Sequence, residues 1–290
     1  MKYATQLLNK SSIKTRGLNW FALIPLLIFS IGFQIIPIIS LISSSFSTKE
    51  GLSIENYQRA FTPHIAEAFR NSLKLSFTTA FLGVGLGLVV AYAIISTEKK
   101  FMKNALIALA DVTTNFGGAP LAFAFIVTLG STGVITLILK SMGVFLYPSF
   151  RIYSISGLAI AYLYFQLPLM IMLILPALQG LKKEWWEAAI NMGANSMQFW
   201  ARIGLPVLTP SLLSSFFILF ANSFGAYATA WTLTGPDVNL ITVQIASLIR
   251  GEVQLEIGLA DALAVISLFI ILFCVGGYLL LSTKAKRFRT

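Results

Sequence analysis

The stretch KKEWWEAAINMGANSMQFWARIGLP, residues 182–206, decides how the whole chain is read. It is a polar island between two long apolar runs, so it is a loop joining membrane-embedded segments. Yet residues 182–190 hold neither Pro nor Gly, and their propensities predict a short helix. Trp185, Ala188, Ala189 and Met192 fall at i, i+3, i+4 and i+7, which is one apolar stripe of that helix. Gly193 offers the positive φ that ends a helix. Asn195 and Gln198 then stand in capping-box spacing and open a second short helix. Leu205-Pro206 is expected to stop that second helix before the next membrane segment. The island therefore reads as a helix-turn-helix projecting from the membrane, apolar on one side and built to dock on something.

The rest of the composition agrees with a membrane setting. The 290 residues are 57% hydrophobic and 11% charged, whereas an average soluble domain is about 25% charged. So apolar a chain does not fit inside one soluble core, and it reads as an all-α polytopic membrane protein. The net charge of +10 raises nucleic acid as a partner. The bases flank apolar runs instead of forming a patch with interleaved aromatics, so nucleic acid is excluded and membrane lipid is the surrounding partner. The lone cysteine, Cys274, lies inside an apolar run and rules out an intrachain disulfide or a cysteine metal site. The single histidine, His64, sits in a polar segment and reads as solvated. No G-x-x-x-x-G-K-[ST] stretch occurs, no metal-ligand cluster stands out, and no nucleophile has a base beside it. The chain is therefore expected to be no enzyme, with no metal and no cofactor of its own.

Six apolar runs are long enough to span, at about 20 residues each. A basic amino-terminal tail covers residues 1–19. The first span is residues 20–43; it is too long for a signal-peptide apolar region and lacks a small-x-small cleavage site. A polar extracytoplasmic loop follows over 44–71. Residues 72–282 form the core, with spans near 72–95, 105–129, 155–178, 208–233 and 259–281. The loop of the opening stretch, 179–207, lies between the fourth and fifth spans. A basic tail, 283–290, closes the chain. Residues 134–139 are too short to span and predict a short surface helix. Gly83, Gly85 and Gly87 in the second span predict close helix packing. Both termini then lie on one side, which collects fourteen of the 21 Lys and Arg residues against seven on the other. The positive-inside rule places the termini and the 182–206 loop in the cytoplasm.

Here the residues carry a resemblance. Glu187-Ala188-Ala189, three residues, Gly193, nine residues, then Ile203, Leu205 and Pro206 resembles the cytoplasmic loop of binding-protein-dependent bacterial ABC importer permeases. Every fixed position of that pattern is filled, and the likeness extends over about residues 71–281. The resemblance implies an inner-membrane permease with a coupling helix in this loop. Its partners would be ATP-binding cassette ATPase subunits, which hold the ATP and Mg, an extracytoplasmic solute-binding protein, and a second permease, either a copy or a paralogue. Glu184, Glu187, Ala188, Ala189 and Gly193 would then form the ATPase-coupling site. The run 222–236, with Phe224-Gly225-Ala226-Tyr227 and Thr234-Gly235-Pro236, looks more like the polyamine, phosphonate and ferric-ion branch than the sugar branch.

Polar side chains at membrane depth are the pathway candidates: Asn222, Ser223 and Tyr227 in the fifth span, and Asp111 in the third. Each also fits a plain helix–helix hydrogen bond, and both readings stand at this point. An ion-coupled secondary transporter is the alternative class. It needs intramembrane carboxylates and an internal repeat, and of the carboxylates only Asp111 is a fair candidate.

Overall fold

The computed structural model of the chain describes residues 23–48, 51–251 and 255–287, with backbone alone over 284–287. The amino-terminal tail, the first residues of the first span and the side chains of the carboxy-terminal tail lie outside it. Its elements are helix α1 (Leu23–Ser45), the antiparallel pair β1 (Ser47–Thr48) and β2 (Gly51–Leu52), and helices α2 (Glu55–Arg59), α3 (Pro63–Ser96), α4 (Lys100–Thr114), α5 (Gly118–Leu129), α6 (Val134–Ser141) and α7 (Ile155–Gln179). After these come α8 (Lys183–Asn191), α9 (Ser196–Phe224), α10 (Tyr227–Thr234), α11 (Ile241–Arg250) and α12 (Ile257–Arg287). Six stretches among the described residues are long and apolar enough to cross a membrane.

Helices α3, α7 and α9 pack on one another and form the centre. Two glycines one turn apart on α3 make this possible. A Cβ on Gly83 would lie 2.9 Å from Leu219 Cδ2 and 3.0 Å from Gln166 Oε1; one on Gly87 would lie 2.5 Å from Met170 Cγ. Gly85, on the other face, meets no heavy atom of the described residues within 4 Å. The expectation of close packing thus holds for two of the three glycines.

The third crossing departs from expectation, because residues 105–129 do not form one helix. Ala110 of α4 packs with Met170, Ile171 and Ile174, whereas Leu121 and Ala122 of α5 pack with Leu158, Ala161 and Tyr162. Helices α4 and α5 therefore lie end to end along α7, with a break at residues 115–117. Gly117 and the positive φ of +68° at Gly118 supply the turn. Residues 130–133 interrupt the helix between α5 and α6, yet the two together, Gly118–Ser141, are the third stretch long and apolar enough to cross a membrane, in place of residues 105–129 and of the separate surface helix expected at 134–139. A Cβ on Gly130 would fall 2.3 Å from the Ile126 carbonyl oxygen, so only glycine fits that turn.

Two more boundaries move. Helix α3 has 34 residues and is about 51 Å long, more than the ~30 Å of a hydrocarbon core. It therefore begins inside the stretch read as loop, and its first turns carry His64, Glu67 and Arg70. The fifth span also begins earlier, because Pro206 does not stop the helix. The turn before it, Trp200–Gly204, is a π turn in which Leu205 N–H donates to the Trp200 carbonyl. The wider turn takes up the missing donor and the bulk of the proline ring. The same device precedes Pro37, where Ile31–Ile35 is a π turn.

Helix α12 holds α1 and α2 at one end of the molecule. The Ser44 hydroxyl donates to the Asp261 carboxylate. Asn56 Nδ2 donates to the carbonyls of Ser45 and Ser47, each at 3.0 Å. Arg59 pairs with Glu256. Asp261 is thus engaged near the end of the sixth span. The apolar window of α1 is otherwise bare of protein.

Candidate functional site

The loop of residues 182–206 folds as the sequence says from Lys183 to Gln198, but its second helix does not stop at Leu205-Pro206. Helix α8 ends in a Schellman motif: Gly193 N–H donates to the Ile190 carbonyl at 2.8 Å, and Ala194 N–H to the Ala189 carbonyl at 2.9 Å, with Gly193 at φ +81°. The capping box is complete, with Asn195 N–H to Gln198 Oε1 at 2.9 Å and Gln198 N–H to Asn195 Oδ1 at 2.8 Å. The turn between the two helices is therefore fixed by hydrogen bonds made within the loop.

The apolar stripe splits into two surfaces. Ala189 is buried and Trp185 half-buried, while Trp186 sets its ring edge-on to Phe199 at 4.8 Å. Phe199 meets Trp200, and Trp200 meets Tyr92 of α3 at 5.0 Å. This aromatic chain fastens α8 to α9 and α3. Ala188 and Ile190 remain exposed, and Met192 and Met197 are 80% and 82% exposed. Glu184 is exposed, and Glu187 pairs with Lys183 at 3.2 Å in an exposed i,i+4 contact. Such a pair contributes only ~0.3–0.5 kcal/mol, so Glu187 is available to an outside partner at little cost.

The second helix of the loop and the fifth span are one helix. Helix α9 runs 29 residues from the Asn195 cap to Phe224, about 44 Å. It ends at Gly225, beside the break between α4 and α5. A cavity of about 560 Å³ opens there, lined by Thr114, Asn115, Phe165, Asn222, Tyr227 and Thr229 among others. Four helix ends meet around it. Across it, the Thr229 hydroxyl donates to the Gly118 carbonyl at 3.3 Å, so the two breaks are bonded to each other.

The pathway candidates therefore separate. Asn222 is exposed, and both it and Tyr227 line the cavity, although the break at Gly225–Ala226 puts them on different helices. Ser223 turns the other way. It is 3% exposed and shares a 3.0 Å hydrogen bond with Thr79 of α3. Gln166 of α7, fully buried, donates to the same Thr79 hydroxyl at 3.1 Å. Ser223 thus sits in a polar knot that ties the three central helices together. Asp111 is exposed on α4, one turn before Asn115, whose amide donates to the Asp111 carbonyl at 3.1 Å; its carboxylate does not line the cavity. The sequence reasoning missed Gln166 and Thr79. A glutamine inside the apolar run 155–178 was the available signal.

Among solved structures, the fold matches a chain of a bacterial ABC transporter involved in the import of the acidic polysaccharide alginate. The TM-score is 0.71 at 19% identity, covering 96% of this chain and 98% of that one. A chain of the MetNI methionine ABC transporter, in an inward-facing conformation, matches at TM-score 0.53 and 16% identity, over 77% and 94%. The fold is that of ABC importer membrane subunits. No family model matches the chain. It is 27% identical over 224 residues to the spermidine/putrescine transport system permease protein PotB of Haemophilus influenzae, covering 74% of this chain and 78% of the relative. It is 24% identical over 208 residues to the probable sulfate transport system permease protein cysT of Helicosporidium sp., covering 71% and 73%. Together with the loop, these findings identify the chain as a transmembrane permease subunit of an ABC importer, a multi-pass inner-membrane protein; ATP hydrolysis in such importers lies in a separate subunit.

Proposed function

We propose that α8 is the coupling helix through which partner ATPase subunits, loaded with ATP and Mg, drive this permease. The observation that carries the reading is the single helix α9, which has its capping box in the loop and its far end at the cavity. A push on α8 passes through Trp186, Phe199 and Trp200 into a rigid rod that moves the cavity wall. Ala188, with the exposed Ile190 and Met192, offers an apolar face to the ATPase. Glu184 and Glu187 add polar contacts at its edge, Ala189 seats the helix on its own loop, and Gly193 fixes the angle.

The cavity is one half of the translocation pathway. It is open on one side, which suits completion by a second permease, a copy or a paralogue of this chain. Access then alternates between the two membrane faces as that interface opens and closes, and an extracytoplasmic solute-binding protein delivers the solute. Both termini and α8 face the cytoplasm, a reading supported by the excess of bases on that side. The substrate is a small polar or charged solute of the polyamine, phosphonate or ferric-ion class, and the curated relatives named for polyamine and sulfate transport favour such a solute. The test is ATP-dependent uptake in proteoliposomes holding the chain with its ATPase and binding protein. Uptake should disappear when Ala188→Arg places a charge in the apolar face, and intact uptake in that variant would remove the coupling role.

A further inference from the structure

We propose that Tyr227 and Trp231 form a recognition surface for an organic cation, an ammonium or guanidinium group, at the wall of the cavity, and that Arg250 occupies this surface as a tethered stand-in. The proposal deepens the reading of the cavity as the translocation pathway and rests on it.

The geometry comes from two separate elements. Tyr227 and Trp231 lie one turn apart on α10, with ring centroids 6.1 Å apart and planes only 25° from parallel. Arg250 reaches them from the last turn of α11. Its guanidinium carbon lies 5.6 Å from the centroid of the Tyr227 ring and 5.3 Å from that of Trp231. Both distances fall within the roughly 6 Å over which a cation is held by an aromatic face. Two rings facing one cation make a small aromatic cage, and the chain fills it with its own side chain.

The cage belongs to the cavity because Tyr227 is part of the lining. The Tyr227 hydroxyl is buried and has no hydrogen-bond partner among the described residues. The cavity is also lined by Asn115 and Asn222, whose amides can accept from an N–H group, and by Thr114 and Thr229, whose hydroxyls can do the same. Among the described residues no carboxylate lines the cavity. Amino and carboxy ends of helices meet there in equal number, so their dipoles do not choose a sign. The aromatic pair is the element that does. A cationic solute takes the ring faces when Arg250 swings aside, and Arg250 returns to them once the solute has left. The exchange closes the cavity wall without an empty, poorly solvated cage.

Cysteine reactivity in membrane vesicles tests this on the full-length chain, with or without its ATPase. Ala228, exposed in the cavity lining, is replaced by cysteine in a Cys274→Ser background. The first-order rates of reaction with a cationic and an anionic methanethiosulfonate reagent are then compared, so protein amount does not matter. With Arg250→Gln added, the cage is vacant. The cationic rate should then rise about fivefold, the size of a cation–π contact of this kind, and millimolar putrescine should suppress the rise. Adding Trp231→Leu should cancel the gain, which a mere loss of charge repulsion would not do. An anionic reagent that reacts faster than the cationic one, and slows when Arg250 is removed, would show that Arg250 recruits oxyanions, and the proposal would be wrong. A gain that survives Trp231→Leu would also overturn it. If neither reagent reacts, the cavity does not open to water, and the pathway reading itself falls.

Discussion

The Tyr162 hydroxyl donates to the Ala226 carbonyl at 2.7 Å, from the middle of α7 to the break between α9 and α10. The break frees backbone groups at membrane depth, where each needs a partner from the protein or from the cavity it lines. Tyr162, 1% exposed, satisfies one of them and fixes the position of the break. Tyr162→Phe leaves that carbonyl bare at a cost of ~1–3 kcal/mol. The thermal midpoint of the purified complex should fall, and uptake per folded molecule should fall with it. An unchanged midpoint would mean that the break holds itself.

The glycine face of α3 gives a paired prediction. Gly87→Val drives a side chain into Met170 and should destabilise the complex by ~1–3 kcal/mol, as overpacking does. Gly85→Val, two residues away and facing open space, should leave the amount of folded protein unchanged. Equal losses in the two variants, measured by fluorescence-detected size exclusion, would contradict the packing described for α3 and α7.

Asn222 and Ser223 are adjacent but have opposite expected outcomes. Asn222→Ala removes an amide from the cavity wall, so uptake rate or solute preference should change at normal protein level. Ser223→Ala removes one partner from the buried knot with Thr79 and Gln166, so protein level should fall while solute preference stays as it was. Radiolabelled uptake normalised to permease content separates the two. A shift of preference in the Ser223 variant would mean that the knot is part of the pathway.

How far each of these features was legible in the sequence depended on whether it was a local matter. The loop was readable almost residue by residue, because capping boxes and glycine C-caps are set by neighbours three to five positions away. Gln198 and Gly193 sit where that chemistry requires. The helix breaks are half legible: Gly117-Gly118 and Gly225 are residues that permit a break, yet the runs around them are apolar enough to pass as single spans. Pro206 misled, since a proline stops an α-helix but not one that widens into a π turn just before it. The facing of Ser223 was not legible, because it depends on how α9 is rotated against α3, and composition does not encode rotation. Arg250 counted only as a charge in a loop, since its aromatic partners lie about twenty residues back in the chain.

Gly193 is the hinge on which the loop geometry depends. Gly193→Ala puts a Cβ at φ +81° and should cost ~1–2 kcal/mol at that turn. Gly193→Pro cannot adopt this φ and loses the N–H bonded to Ile190. Membrane insertion should be normal in both variants. Coupling of hydrolysis to uptake should weaken in the first and be lost in the second, as read from phosphate released per solute transported. Full coupling with proline at 193 would show that the angle between the two loop helices does not matter.

The central claim is that α8 bears the ATPase and that α9 carries its movement to the cavity. The most direct measurement is co-purification of the ATPase with the tagged permease, comparing the unaltered chain with Ala188→Arg. The unaltered chain should bring the ATPase down in stoichiometric amount and show solute-dependent hydrolysis. The variant should remain folded and monodisperse and bring down none. An ATPase that stays bound to the Ala188→Arg permease, with hydrolysis still answering to solute, would contradict the account.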